Sequence, residues 1–293
     1  MTIASSKVVP PAATTPPHNG FSLISNEKLL QLYSTMLKCR LLHARIRAAA
    51  NENGSAALSH EAATVGVALD LLPGDTLAPS PHGFIPAFVK GLPLGSIFSA
   101  VAPKGSKPRP PYARLNLIPP ALSLKAQLDR AINAAIANKK TRNKQIAVAF
   151  RGSSNASPDL LHEAMRQAGK RNLPILFVCY SDSDSREICL KAQECGFPGV
   201  SVDGDDAVAV YRVATEAIAH ARRGSGPTLI DCKPWLLSEH KSGKRQKAGN
   251  PILRMEEYLT RKGLFDKKFK SNVTAAFRRE LEVAINVNGL KQL

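Results

Sequence analysis

The sequence is poor in aromatic side chains: Phe, Trp and Tyr make up 5% of its 293 residues, with a single Trp. Single-stranded nucleic acid is held on stacked rings, and with so few of them no stacking platform is legible. Cysteine is scarce too. The five cysteines (Cys39, Cys179, Cys189, Cys195, Cys232) are odd in number and form no CxxC pair. That argues against a disulfide framework, and three of them lie in apolar, strand-like runs where a reduced thiol acts as a small hydrophobe. Cys189 and Cys195 are the candidates for a cysteine-bound metal, but no other ligand-type residue keeps useful spacing with them. No apolar run is long enough to span a bilayer, and no basic start precedes an apolar core as in a secretory signal. Residues 1–20 contain no acid and no Arg and are rich in Pro, Thr, Ser and Ala. They read as a disordered tail and not as an Arg-rich presequence, with residues 21–293 as the folded domain. The expected location is the cytoplasm, or the mitochondrial matrix if the source is eukaryotic.

Acidic residues are the other shortage. Asp and Glu number 23 against 40 Lys and Arg, a formal net charge of +17. The excess concentrates in "KKTRNK" (139–144), "HKSGKRQK" (240–247), "RKGLFDKKFK" (261–270) and Arg278–Arg279. Such runs read first as solvated surface; the sharper readings are nucleic acid, an acidic partner subunit, or phosphorylated small molecules. No nucleic-acid motif accompanies them.

What is present is an α/β pattern. Residues 25–50 open with Ser25 as an N-cap and place Leu29, Leu30, Tyr33, Leu37, Leu41 and Leu42 on one helical stripe. Helices are expected over 60–72, in two pieces over 86–101, and over 123–140. The six prolines of 103–120 make that segment a loop. Apolar runs of strand length follow at 145–150, 173–180, 199–204 and 227–233, joined by helices at 157–171 and 205–222. Strands without polar alternation, joined by helices, predict a parallel sheet covered on both faces. Ligands then sit beyond the carboxyl ends of the strands, at 151–155, 181–185, 203–206 and 234–240.

The turn at 150–164, "FRGSSNASPDLLHEA", is where such a sheet holds a phosphate, yet it offers no acid to hold a metal before the helix begins. Three readings stay open. It is a plain strand-to-helix turn. It is a metal-free anion cradle built from the Ser153 and Ser154 hydroxyls, backbone N–H groups and Arg151. Or it is a relocated metal site in which Asp182 replaces a missing carboxylate.

The ordered segments "SHEAATVGVALDLLPGDTLAPS", "GFPGVSVDGDDAVAVYRVATEAIAHARRGSGPTLID" and "NPILRMEEYLTRKGLFD" resemble, from Glu27 to Ala284, the alpha subunit of the thiamine diphosphate-dependent 2-oxo acid dehydrogenases of the pyruvate and branched-chain type. The resemblance implies a thiamine diphosphate-binding fold with a central parallel sheet and helices on both faces. It implies thiamine diphosphate and Mg²⁺ as cofactors. It also implies oxidative decarboxylation of a 2-oxo acid in a heterotetramer, with a beta subunit supplying the carboxylate that activates the cofactor's aminopyrimidine ring.

Against that pattern the family's Gly-Asp-Gly reads Gly152-Ser153-Ser154, and its Asn pair reads Ser181-Asp182, with Asp184 where a backbone carbonyl serves. By resemblance, Ser153, Asp182 and Asp184 are the metal candidates, and Arg151, Gly152, Ser153, Ser154 and His82 the cofactor contacts. His82 stands in the family's Tyr-Arg pair, here Pro81-His82. His240 keeps the loop histidine as catalytic candidate, among Lys241, Lys244, Arg245 and Lys247, with an ordinary exposed loop histidine as its plainer reading. Glu163 and Asp203 read as structural, and His60-Glu61 as a helix start capped by Ser59 or as an acid–base pair. The expected function is an alpha-subunit-type dehydrogenase component with impaired or lost activity. The alternative is a non-catalytic basic scaffold binding RNA or an acidic protein.

Overall fold

A computed structural model describes residues 24–49, 60–80, 83–101, 111–119, 123–152, 158–180, 187–233 and 250–287. Its centre is a five-stranded, all-parallel sheet: β1 (Thr76–Ala78), β2 (Ala147–Arg151), β3 (Ile175–Tyr180), β4 (Gly199–Asp203) and β5 (Thr228–Lys233), in the order β1-β2-β3-β5-β4. Every residue of β3 is buried, as are Ala147–Phe150 of β2, which is why these strands carry no polar alternation. The pleat nevertheless sorts them. Ala147, Ala149, Ile175, Phe177, Cys179 and Leu229 face one core cluster, and Val148, Phe150, Leu176, Val178, Tyr180 and Ile230 the other.

The helices follow from that order. The chain steps from β2 to β3 to β4 in one direction, through α6 (Pro158–Lys170) and α7 (Glu187–Glu194). It then steps back from β4 to β5 through α8 (Ala207–Arg222). Right-handed crossovers put a returning connection on the opposite face. Accordingly α6, α7 and α5 (Leu124–Thr141) fill one core cluster, while Val210, Ala214, Ala217 and Ala221 of α8 join α2 (Glu61–Ala68) in the other. Small residues let α2 and α8 approach closely: a Cβ on Gly66 would lie 2.8 Å from Val210 Cγ1 and 3.0 Å from the Tyr211 backbone N.

A third cluster joins the long α1 (Asn26–Ala49) to α9 (Pro251–Arg261), with α10 (Lys267–Val287) beside them. Leu29, Tyr33, Leu37 and Leu42 of the expected stripe are buried, but so are Leu32, Met36 and Cys39, because α1 is covered on more than one side. The Tyr33 hydroxyl donates to Glu256 at 2.8 Å, and Lys270 meets the same carboxylate at 2.8 Å, tying the three helices together. Two short helices, α3 (Phe84–Val89) and α4 (Leu94–Val101), match the divided helix expected over 86–101.

Three elements depart from the sequence reading. β1 is a strand of three residues that the sequence reading did not place, and residues 116–118 run beside it, with Leu77 N–H donating to the Asn116 carbonyl at 2.9 Å. α7 was not anticipated. The N-cap of α2 is His60 and not Ser59, with no side-chain capping bond. The tail of residues 1–20 lies outside the described residues.

Candidate functional site

The carboxyl edge of the sheet is built from the last residues of each strand. Between β1 and β2, Gln127 of α5, 1% exposed, donates its amide to the carbonyls of Ala78 (3.1 Å) and Phe150 (2.7 Å). This lock fixes where β2 turns into Arg151 and Gly152. Gly152 has no positive φ, and a Cβ there would meet nothing within 4 Å among the described residues.

On the α2 side of the edge three rings form a plug. Tyr180, the last residue of β3, stacks on His60 with centroids 4.1 Å apart and planes 5° from parallel, and lies 6.2 Å from Phe150. Its hydroxyl shares a 2.7 Å hydrogen bond with Thr64, and burial pushes its pKa well up. Beside it, the fully buried Glu61 pairs with Arg40, which also donates to Asn250 at 3.0 Å. Asn250 caps α9 by accepting from Ile252 and Leu253 N–H. His60 and Glu61 therefore do different things: one stacks, the other anchors the chain where it enters α9.

On the opposite side, Arg151, Cys179 and Asp231 form one transverse row across β2, β3 and β5. Burial pushes the Cys179 thiol up to about 12, offset in part by the charge of Arg151 and a hydrogen bond from it. Arg151 is thus turned along the sheet towards Cys179. Asp231, fully buried, lies 3.9 Å from Lys233. At the end of β4, Asp203 pairs with Arg254 at 2.6 Å and accepts from Asp205 N–H at 3.0 Å. Asp206 caps α8 by accepting from Val208 and Ala209 N–H, both at 3.0 Å. Asp203 is structural, as the sequence suggested.

Of the sequence-derived site residues, Arg151 and Gly152 are brought to this edge; Ser153, Ser154, His82, Asp182, Asp184 and His240 lie outside the described residues. Among the described residues no group of three or more His, Cys, Asp or Glu is placed to hold a metal ion, and Cys189 is buried. Sequence reasoning did not anticipate Gln127 or Tyr180. Tyr180 is a polar group at the end of an otherwise apolar run, which is the one signal that marks it; Gln127 sits among Lys125, Asp129 and Arg130 and carries none.

Residues 48–288 match the family of dehydrogenase E1 components. The chain belongs to that family. Its E1-type relatives are named as alpha subunits. The chain is 30% identical to the 3-methyl-2-oxobutanoate dehydrogenase subunit alpha of Mycobacterium tuberculosis, over 77% of this chain and 68% of that protein. It is 28% identical to the alpha subunit of acetoin:2,6-dichlorophenolindophenol oxidoreductase of Bacillus subtilis, over 78% of this chain and 75% of that protein. It is 26% identical to the pyruvate dehydrogenase E1 component subunit alpha of Staphylococcus aureus, over 89% and 78% respectively. The E1 dehydrogenases are thiamine diphosphate-dependent, and this chain is of their alpha-subunit type.

The E1-like segments that carry the likeness meet in space as scaffolding. Asp75 of "PGDT" and Arg222 of "ARRGSGP" form a buried ion pair. Asp203 and Asp206 of "VDGDDAVAVY" are gripped by Arg254 of "NPILRMEEY". Gly224 and Gly226, at φ +78° and +101°, turn the chain from α8 into β5 where a side chain would be strained. No helix among the described residues is long and apolar enough to cross a membrane.

Proposed function

We propose that this chain is an E1 alpha-type subunit that has lost the anchor for a metal-bound diphosphate and works, with a beta subunit in a heterotetramer, as an impaired or inactive member. The observation that carries this reading is the chemistry of the carboxyl edge. A divalent cation holding a diphosphate needs hard oxygen ligands in near-octahedral array, carboxylate among them. The turn after β2 supplies serine hydroxyls at Ser153 and Ser154, flanked by the cation of Arg151. The described acids of the edge already have partners within the chain: Asp203 with Arg254, Asp206 in the α8 cap, Asp231 with Lys233. Asp182 and Asp184, with Ser153, remain as metal candidates, and one strand-end loop of two carboxylates replaces a ligand set that the family divides between two loops. The turn after β2, with serine in place of the family's carboxylate, does not fit Mg²⁺-bound thiamine diphosphate, so no catalytic step is assigned to His240, His82 or any other residue.

Reconstitution with the beta subunit tests it. Pyruvate and branched-chain 2-oxo acids are offered with thiamine diphosphate, Mg²⁺ and an artificial electron acceptor. The expected result is little or no turnover above that of the beta subunit alone. Cofactor-dependent turnover as fast as that of a complex whose alpha subunit keeps the Gly-Asp-Gly motif would overturn the reading.

A further inference from the structure

α1 and α10 pack side by side and leave between them a hollow of about 780 Å³. Its floor is apolar. Leu41, Ala44 and Ala48 lie on one stripe of α1 at helical spacing, and Val283 of α10 faces them. Val283 is 62% exposed, a solvated apolar side chain on an otherwise polar helix surface. Ala44 and Ala48 stand one turn apart and are small enough to let the side chains of a third helix sit low between α1 and α10.

The rim is cationic. Arg45, Arg278 and Arg279 border the hollow against a single acid, Glu282, which reaches Arg45 only at 3.4 Å. The Arg45 Nε is buried without a hydrogen-bond partner. Neither Arg278 nor Arg279 forms an ion pair among the described residues. The rim thus sets three guanidinium groups against one carboxylate around an apolar strip, a charge excess that carboxylates on the other side would complement.

This chain has few to offer. The segments outside the described residues carry four acids (Glu52, Asp182, Asp184, Glu239) against ten Lys and Arg. A second copy meeting this face about a two-fold axis brings the same three arginines with only the same single carboxylate to match them. The complement therefore belongs to a different molecule. An aliphatic floor with no aromatic ring on it suits a helix and offers nothing for a base to stack on.

We propose that the α1–α10 groove receives an amphipathic helix of a different, acidic polypeptide. Its apolar stripe lies on Leu41, Ala44, Ala48 and Val283, and its carboxylates meet Arg45, Arg278 and Arg279. This docking is independent of whether the carboxyl edge binds a cofactor.

The test is fluorescence anisotropy of the full chain with a labelled peptide of about 20 residues, long enough to form helix, with Leu at helical spacing flanked by Glu. A scrambled peptide of the same composition, with Leu spread around the helix, is the control. Saturable binding of the patterned peptide is expected, weakened about tenfold by R278E/R279E. Val283→Asp should weaken it as well. Arg278, Arg279 and Val283 are exposed, so the variants should keep the parent thermal melt. Lys140→Glu with Arg171→Glu, an equal charge change on another surface, should leave affinity unchanged. Equal binding of the scrambled peptide, equal loss in the control variant, or no binding overturns the proposal. So does single-stranded RNA that displaces the peptide and shows the same sensitivity to R278E/R279E.

Discussion

Asp75→Asn should destabilise the protein by about 3 kcal/mol, the lower part of the range for removing one partner of a buried ion pair. The structure sets that figure. The Asp75 carboxylate is fully buried and meets only donors: Leu72 N–H at 2.7 Å, Ile146 N–H at 3.1 Å, and Arg222 through Nη1 at 2.9 Å and Nη2 at 2.5 Å. An amide keeps one acceptor oxygen and turns its NH₂ towards a donor, so it loses both charge and geometry. The Arg222 side chain keeps 20% of its exposure and can be partly rehydrated, which holds the cost to the lower end. At about 2.1 cal/mol/K of unfolding entropy per residue, 293 residues turn this loss into a fall in Tm of about 5 °C. Urea unfolding measures it directly: the midpoint should drop with an unchanged m-value. Asp75→Asn combined with Arg222→Ala should cost less than the two single losses added together, because each removes the same interaction. A loss below about 1 kcal/mol would refute the reasoning, since that is the worth of an exposed ion pair.

Alkaline pH should weaken the fold before it breaks any exposed ion pair. Burial pushes Cys179 and Tyr211 up to about 12 from ordinary values of 9.0 and 10.0, and raises Cys39, Cys232, Tyr33 and Tyr180 as well. The unfolded chain releases these protons first, so the stability they contribute is fully present below about pH 9 and lost as pH rises towards 12. Urea midpoints at about pH 8 and about pH 10.5 should show the drop, and equal midpoints would contradict the burial of these groups. Gly66→Ala should cost about 1–3 kcal/mol by overpacking, against a helix-propensity gain of about 1 kcal/mol. The cost arises because the new Cβ meets the Tyr211 backbone N as well as Val210. A gain in thermal stability would show that α2 and α8 can move apart freely.

The parallel sheet was legible because β3 is apolar throughout and β2 is apolar up to Arg151, and the expected runs at 145–150, 173–180 and 227–233 overlap the observed strands closely. β1 was not, because three residues, "TLA", give no periodicity to read; its position is set by Asp75, which holds Ile146 N–H across from it. α7 was hidden because only Cys189 and Ala192 of its eight residues are buried, too few for a stripe. The carboxyl edge was legible as a place and not as an arrangement. Sequence order says that Arg151 follows β2, but not that β3 and β5 bring Cys179 and Asp231 into its row. Likewise the motifs that carried the family resemblance gave no sign that they bind one another, as Asp75 does Arg222 and Asp203 does Arg254. That pairing explains how this framework can persist while the residues at the diphosphate position differ.

The central claim is that the diphosphate anchor is gone, and the most direct test is calorimetric titration of the purified chain with thiamine diphosphate and Mg²⁺, alone and with the beta subunit. The account predicts no saturable heat up to about 1 mM cofactor in either case. Saturable, Mg²⁺-dependent binding that disappears in Asp182→Asn would contradict it, placing a working metal site at the end of β3.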